Sequence, residues 1–566
     1  MWYNQFEEYR HKQKEEFLSR DNNLLFSRLT SYWYFPESNI LPPCFMWSAK
    51  KNDWWCFYEL KDKKLKGLSN NEVSELESIT IPKWEYHERT FSIMNPKMYN
   101  DLSYYLINEK KTISTILFSN ESYIYSYSIP FPSIEKRKYP KLTTSHRSRV
   151  IYSWIRMWIN NLFIRLFSIK EKKDSLLQNK ELIFRNKSWQ SINSYVDWEN
   201  HLLKESYKYS YFLQTDVKNF YPSLYTHSIP RIIHSKKETR NDPHDMTKLW
   251  NRIDILLQKS HDNCTNWICI GPSISDIIWE IVLCKIDAEV TKKLKNDKIH
   301  FVGMRYKDDY RILTESEESA KKILKILRDE LFKVKLFLHE WKTIISHELP
   351  WSIFRKWIID TDHILNSYFE ATSEDKSNQK LKKISFKKFK LLYAKILEVY
   401  NRYPNHAIFE KMLSRVVDDK DNSHLICNVT LENKQEVNLF ISLLVQIKNR
   451  RLQALPLILW ICEILRENIT IDGVNIDGII HTITLELFNH KNASEYELLW
   501  IGYFLKKQWW GYSKISNRLK KHPNKLLQSV WKDKQQFFDF LILFDANYKD
   551  QGILRNHVKT FGYDLV

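Results

Sequence analysis

Glycine is the scarcest informative residue in this chain. There are nine among 566 residues, and only Gly67, Gly271 and Gly303 precede position 400. No G-x-G-x-x-G and no G-x-x-x-x-G-K-[ST] string can be assembled from them, which excludes a dinucleotide-binding turn and a P-loop. Any nucleotide must be held by basic side chains and metal-bound carboxylates instead. Cysteine is also sparse: seven, scattered, with no C-x-x-C pair, so neither a zinc site nor a disulfide framework is indicated. Free thiols fit a reducing, cytoplasmic setting. The first residues, MWYNQFEEYRHKQKEEF, carry charge from the start and do not form a secretory leader. The longest apolar stretch, near Ala454 to Cys462, contains a proline and is too short to span a bilayer.

What is present is mass, aromatics and positive charge. The chain is 43% hydrophobic and 14% aromatic, enough to bury large cores in two to four domains. The formal net charge is +19, which favours a polyanionic partner; a lysine-rich surface without such a partner is the alternative. Residues 129 to 150, IPFPSIEKRKYPKLTTSHRSRV, gather Lys136, Arg137, Lys138, Lys141, Arg147 and Arg149 in one loop-like run. Guanidinium groups match phosphate oxygens bidentately, so this run is suited to triphosphate or template backbone, and equally to a solvated basic loop. Trp154 and Trp158 follow at helical spacing. Trp54-Trp55 reads as core rather than as a stacking platform.

Carboxylates stand at two structurally pointed places. In Tyr211 to Val217, Tyr211, Leu213, Thr215 and Val217 alternate with Phe212, Gln214 and Asp216, a strand pattern with an aspartate near its end, before Phe220, Tyr221 and the stopping Pro222. In Phe301 to Leu313, FVGMRYKDDYRIL, a strand leads into Tyr306-Lys307-Asp308-Asp309 and a second strand leads out. Adjacent carboxylates on a turn repel, and a divalent cation is the usual reason to hold them together; a solvated acidic turn is the alternative. Between the two lies IGPSISDIIWEIVLCKIDAEV: a Gly271-Pro272 turn, a capping-box pattern from Ser273 to Asp276, and a long apolar helix whose N-terminus offers free N–H groups. After the acidic turn, Glu317 to Lys333 reads as an amphipathic helix with Ile323, Ile326, Leu327 and Leu331 inward. A short strand, Leu336 to Leu338, then precedes His339-Glu340-Trp341-Lys342-Thr343. The order strand, helix, hairpin, helix, strand predicts an α/β layer with helices on one face of an antiparallel-containing sheet. If the strands are neighbours, Asp216 and Asp308 meet, and two carboxylates on adjacent strands suit two-metal phosphoryl transfer with Mg2+.

In that order, D-x-x-x-[FY]-[FY], Gly-Pro-Ser, Y-x-D-D and a lysine after a short strand resemble reverse transcriptases. Residues 130 to 350 carry the resemblance. The wording TDVKNFYPSLYTHSIP, IGPSIS and YKDD is most similar to the bacterial abortive-infection and defence-associated (unknown-group) enzymes. The resemblance implies an α+β right-hand polymerase, palm and fingers of reverse-transcriptase type, followed by an all-α, helical-repeat-like C-terminal domain. The expected division is 1–370, a linker at 371–380 (ATSEDKSNQK) and 381–566, with amphipathic helices at Phe440 to Val445, Leu455 to Leu465, Tyr496 to Leu505 and Phe537 to Phe544. It implies Asp216, Asp308 and Asp309 as metal ligands with the Val217 backbone carbonyl, two Mg2+ ions (Mn2+ as substitute), and Lys342 as proton donor to leaving pyrophosphate. Tyr221 would be the gate against a 2′-hydroxyl. Gly271, Pro272 and Ser273 would lie against template or nascent pair, and Arg147 and Arg149 would grip triphosphate. Implied partners are dNTPs, a DNA product, a non-coding RNA and further copies of the chain. Some members of that group synthesise DNA without a conventional template, primed from a protein tyrosine, and act in phage defence. The competing readings are an RNA-synthesising polymerase on the same palm and a catalytically silent nucleic-acid-binding scaffold.

Overall fold

The computed structural model describes parts of 10–29, then 58–66, 76–129, 191–234, 245–349, 355–369, 383–420, 424–507 and pieces of 517–542, apart from scattered single positions. Arg147 and Arg149, the other basic residues of 136–141, Trp54, Trp55, Trp154, Trp158 and the 371–380 linker lie outside the described residues.

The N-terminal part contributes a hairpin, β1 (Glu77–Trp84) and β2 (His87–Ile93), then helix α1 (Pro96–Asn108), whose first turn holds Pro96 where no N–H is needed. Strand β3 (Ile124–Ser126) follows, and then helix α2 (Ser191–Ser206). The centre of the molecule comprises β4 (Tyr211–Lys218), α3 (Ser273–Asn296), the hairpin β5 (Phe301–Tyr306) and β6 (Asp309–Thr314), α4 (Glu317–Phe332), β7 (Phe337–Leu338) and β8 (Ile344–Ser346). Their sheet runs β8-β4-β6-β5-β3, with β7 pairing the end of β4. All neighbours are antiparallel except β3, which runs parallel to β5. That approach needs Gly303: a Cβ there would stand 2.8 Å from Ile124 Cγ1.

The expectation of helices on one face is corrected: they lie on both. Leu213, Tyr310 and Ile312 face the core that includes α3 and α4, whereas Phe212, Met304 and Leu313 form a second cluster with Trp198 and Leu202 of α2. The strands alternate in side-chain direction but are apolar on both sides, so each face must be covered. Helix α3 is buried almost all round, and α4 is capped by Ser316, whose hydroxyl accepts from Ser319 N. The capping-box expectation is also corrected. Pro272 is the N-cap of α3, Ser273 is its first helical residue, and no side chain caps the end. A proline fits there because its fixed φ starts the helix, and Asp276 is left to bind elsewhere.

The C-terminal part packs α5 (Lys356–Phe369), α6 (Phe386–Arg402), α7 (Ile408–Val416), α8 (Lys434–Arg450), α9 (Leu455–Asn468), α10 (Ile476–Asn489) and α11 (Glu495–Lys507). It is not all-α. Ile384–Ser385 pairs with Val429–Thr430, and Val417–Lys420 with His424–Cys427. Phe537 to Phe544, expected helical, holds a strand pair, Gln536–Phe538 with Leu541–Ile542. Clustered aromatic and β-branched residues fit a strand better than a helix. No described helix is long and apolar enough to cross a membrane.

Candidate functional site

The β4–β6 ladder places Asp216 directly opposite Asp309. Antiparallel partners stand with Cα atoms about 4.5–5.5 Å apart and side chains on the same face. Asp308 occupies the hairpin turn, and its carbonyl accepts from Val217 N at 3.0 Å, so it is stitched to the end of β4. Three carboxylates thus meet at one sheet end. Burial, together with the charge of Asp216, raises the Asp308 carboxyl above its ordinary value. Burial also pushes Asp309 up to about 7, against the pull of Arg311, with Asp216 and Asp308 adding to the rise. Asp309 Oδ1 is buried without a hydrogen-bond partner. A crowded set of carboxylates with an orphaned oxygen is short of positive charge, and this donor set fits a hard divalent cation. Among the described residues no group of three or more His, Cys, Asp or Glu is already arranged to hold a metal ion, so the three carboxylates would have to draw together around one.

One cation is already there. Lys342 Nζ lies 2.6 Å from Asp216 Oδ2. Its placement is local: His339 N donates to the Asp216 carbonyl at 2.7 Å, residues Glu340–Lys342 form one 3-10 turn, and the Thr343 and Thr215 hydroxyls meet at 2.8 Å. Half of the Lys342 side chain remains exposed, so it can exchange its partner.

The turn itself is strained and clamped. Lys307 has φ of 52°, a left-handed conformation costing about 1–2 kcal/mol in a residue with a Cβ. Its N–H donates to Ser128 Oγ at 2.7 Å, and its carbonyl accepts from Arg305 Nη1 at 3.1 Å. Arg305 is fully buried and bonds Glu280 through both terminal nitrogens and Asp287 through Nε at 2.8 Å. Tyr310 Oη donates to Asp287 at 3.0 Å, and Ser128 Oγ to Glu280 at 2.9 Å. Burial pushes Asp287 up to about 6 against the pull of Arg305, while for Glu280 the Arg305 charge and its hydrogen bonds outweigh burial and lower the carboxyl. On the opposite face, Arg311 lies 3.9 Å over the Trp198 ring and 3.8 Å from Asp309.

Tyr221 lies in the helical turn Phe220–Ser223, beside the N-terminus of α3. Its hydroxyl donates to Asp276 Oδ1, and Lys307 Nζ reaches Asp276 Oδ2 at 3.3 Å. Burial, with Asp276 beside it, pushes the Tyr221 hydroxyl well above its ordinary range. Gly271 takes φ of 125°, which only glycine adopts readily; Pro272 follows, and Ser273 Oγ is buried without a partner. Val217 continues β4 to pair with Leu338. The structure therefore brings together Asp216, Asp308, Asp309 and Lys342, with Tyr221 joined to the turn through Asp276.

Sequence reasoning missed Ser128, Glu280, Asp287, Arg305 and Arg311. A signal existed for some: Arg305 interrupts an otherwise apolar strand, and Glu280, Cys284 and Asp287 recur on one face of an apolar helix. Buried charge in such settings demands a partner.

No family model matches this chain, and no curated protein does. Among solved structures it is similar to telomerase from Candida albicans in complex with the TWJ fragment of telomeric RNA, at 12% identity over 60% of each chain and a TM-score of 0.21. Apo telomerase from Candida tropicalis matches at 13% identity, over 82% of this chain and 69% of that one, with a TM-score of 0.27. The Candida tropicalis enzyme with the TWJ fragment matches at 14% identity, over 81% and 64%, with a TM-score of 0.24. The chain thus spans 60% of the length of the first of these. Likeness this slight defines neither fold nor activity, which rest on the strands and side chains above.

Proposed function

We propose that the chain is a nucleotidyltransferase of reverse-transcriptase type, with a right-hand polymerase palm, that adds dNTPs by two-metal phosphoryl transfer. The observation that carries this reading is the meeting of Asp216, Asp308 and Asp309 at one sheet end, with Asp309 Oδ1 unpaired. In it, the three carboxylates and the Val217 carbonyl hold Mg2+, or Mn2+ in its place. When bound, the two ions activate the attacking hydroxyl and steady the leaving oxygen. Lys342 Nζ, freed from Asp216, gives a proton to the departing pyrophosphate. The Tyr221 ring underlies the sugar and rejects a 2′-hydroxyl. Gly271, Pro272 and Ser273 lie against the template or nascent pair, and Arg147 and Arg149 grip the triphosphate. The net charge of +19 supports a nucleic-acid partner, whether a DNA product or an RNA. The defence role, tyrosine priming and assembly into oligomers follow from the sequence resemblance alone.

The test is incorporation of labelled dNTPs by purified protein with Mg2+, with and without added RNA or DNA, alongside Asp308→Ala. Incorporation by the wild type that Asp308→Ala abolishes is the expected result. Equal use of rNTPs would favour an RNA-synthesising enzyme. No incorporation under any of these conditions, with Asp308→Ala preserving activity in cells, would leave a binding scaffold. DNA that remains on the protein after denaturation, and is released by protease, would identify priming from the protein itself, and mass spectrometry of the DNA-linked peptide would show whether a tyrosine carries it.

A further inference from the structure

We infer that Asp276 is a positioning residue that latches the Tyr221 ring to the acidic turn and thereby sets sugar selectivity; this rests on the reading of Tyr221 as the gate.

Asp276 sits in the first turn of α3, where a carboxylate is favoured by the helix dipole. Each of its oxygens has a separate task. Oδ1 accepts the Tyr221 hydroxyl, and Oδ2 meets Lys307 Nζ at 3.3 Å. Lys307 is the residue between Tyr306 and Asp308, in the strained turn that Ser128 and Arg305 clamp. The two bonds therefore tie the ring to the carboxylate turn through one side chain.

Two aromatic neighbours pack against the ring, which stays partly exposed. Trp279, one helical turn beyond Asp276, meets Tyr221 edge-on at 6.0 Å, and its indole stacks on Phe220 at 3.9 Å. Phe220 meets Tyr221 edge-on at 5.1 Å. Packing alone leaves an aromatic ring free to swing about χ1 when a neighbour yields, whereas a hydroxyl bonded to a carboxylate fixes its far end. A steric gate discriminates only as well as its ring is held, because a 2′-hydroxyl that can push the ring aside pays little for entering. Asp276 has no capping bond to make, because the N-cap Pro272 carries no N–H, and both of its oxygens are engaged across the fold.

The test compares wild type, Asp276→Ala, Tyr221→Phe, their double variant and Asp276→Asn. Preference for dATP over ATP is read twice, as equilibrium binding with Mg2+ and as incorporation. Asp276→Ala and Tyr221→Phe are each expected to cut the preference about tenfold, the value of one charge-assisted hydrogen bond. The double variant should fall no further, since both singles remove the same bond. Asp276→Asn keeps an acceptor for the hydroxyl but loses the anion that meets Lys307, and should fall between wild type and Asp276→Ala. A purely structural Asp276 would weaken both nucleotides alike, and an unchanged ratio in Asp276→Ala and Tyr221→Phe overturns the latch. So does a wild type with no preference in binding, or Asp276→Asn falling as far as Asp276→Ala. A wild type that prefers dATP in binding but incorporates neither nucleotide sinks the polymerase reading and leaves the latch standing.

Discussion

At the scale of single residues, charge without a partner decides most of what this protein should do. Asp309 keeps an orphaned oxygen beside two other carboxylates, so the metal-free site stores repulsion. Asp309→Asn should raise the melting temperature in the absence of metal; if Mg2+ binds as proposed, it should raise the wild type further and the variant far less. Differential scanning fluorimetry with and without Mg2+ reads both effects. His201 works in the opposite sense. It is buried in α2, its Nδ1 2.5 Å from Tyr127 Oη, and burial, with Lys204, lowers it to about 3. Its folded value lies below the unfolded one near 6.5, so the stability it contributes is complete above pH 6.5 and is lost as pH falls. Between pH 7.5 and 5 the loss should be about 2 kcal/mol, and His201→Gln should flatten that slope in urea titrations.

At the scale of elements, the hairpin, α3 and β3 act as one clamp on the acidic turn. Arg305 spans them, held by Glu280 and Asp287 from the helix and holding the Lys307 carbonyl from the strand. Asp287→Ala would strand part of a buried guanidinium and should cost about 3–5 kcal/mol in denaturant unfolding, where loss of an exposed pair costs about 1 or less. The parallel neighbour β3 depends on Gly303. Gly303→Ala would drive a methyl to 2.8 Å from Ile124 Cγ1, a β-branched side chain buried in the core with little room to move. A destabilisation of about 1–3 kcal/mol is expected, with a matching loss of incorporation if the turn shifts with β5. Element existence was legible from periodicity: β4, the hairpin, α3 and α4 all lie where alternation and the 3.6-residue stripe put them. Which face each helix covers was not legible, because strands apolar on both sides look alike from either direction.

At the scale of the whole molecule, the C-terminal helices are not a separate appendage. Asn524 Nδ2 donates to the Ser78 carbonyl of β1 at 3.0 Å, and one contiguous apolar core runs from Phe17 to Leu527 through the sheet and the C-terminal helices. Calorimetry should therefore show one main unfolding transition. Trp500→Ala, which empties a fully buried site in α11, should lower that transition as a whole, by about 3–5 kcal/mol, instead of splitting it. Two well-separated transitions in the wild type would contradict the shared core.

By itself the sequence determined the strand that carries Asp216 near its end, the hairpin that carries Asp308 and Asp309, the long helix after Gly271-Pro272, and the exclusion of glycine-built phosphate cradles. These are local properties: alternation, turn chemistry and missing residues act within a few positions of the chain. Only the tertiary structure decided that Asp216 and Asp309 are register partners, that Lys342 folds back onto Asp216, and that Asp276 serves Tyr221 and Lys307 instead of its own helix end. Those pairings join residues dozens of positions apart, and their partners are chosen by which buried charges must be neutralised once the sheet has closed, a condition that no window of sequence contains.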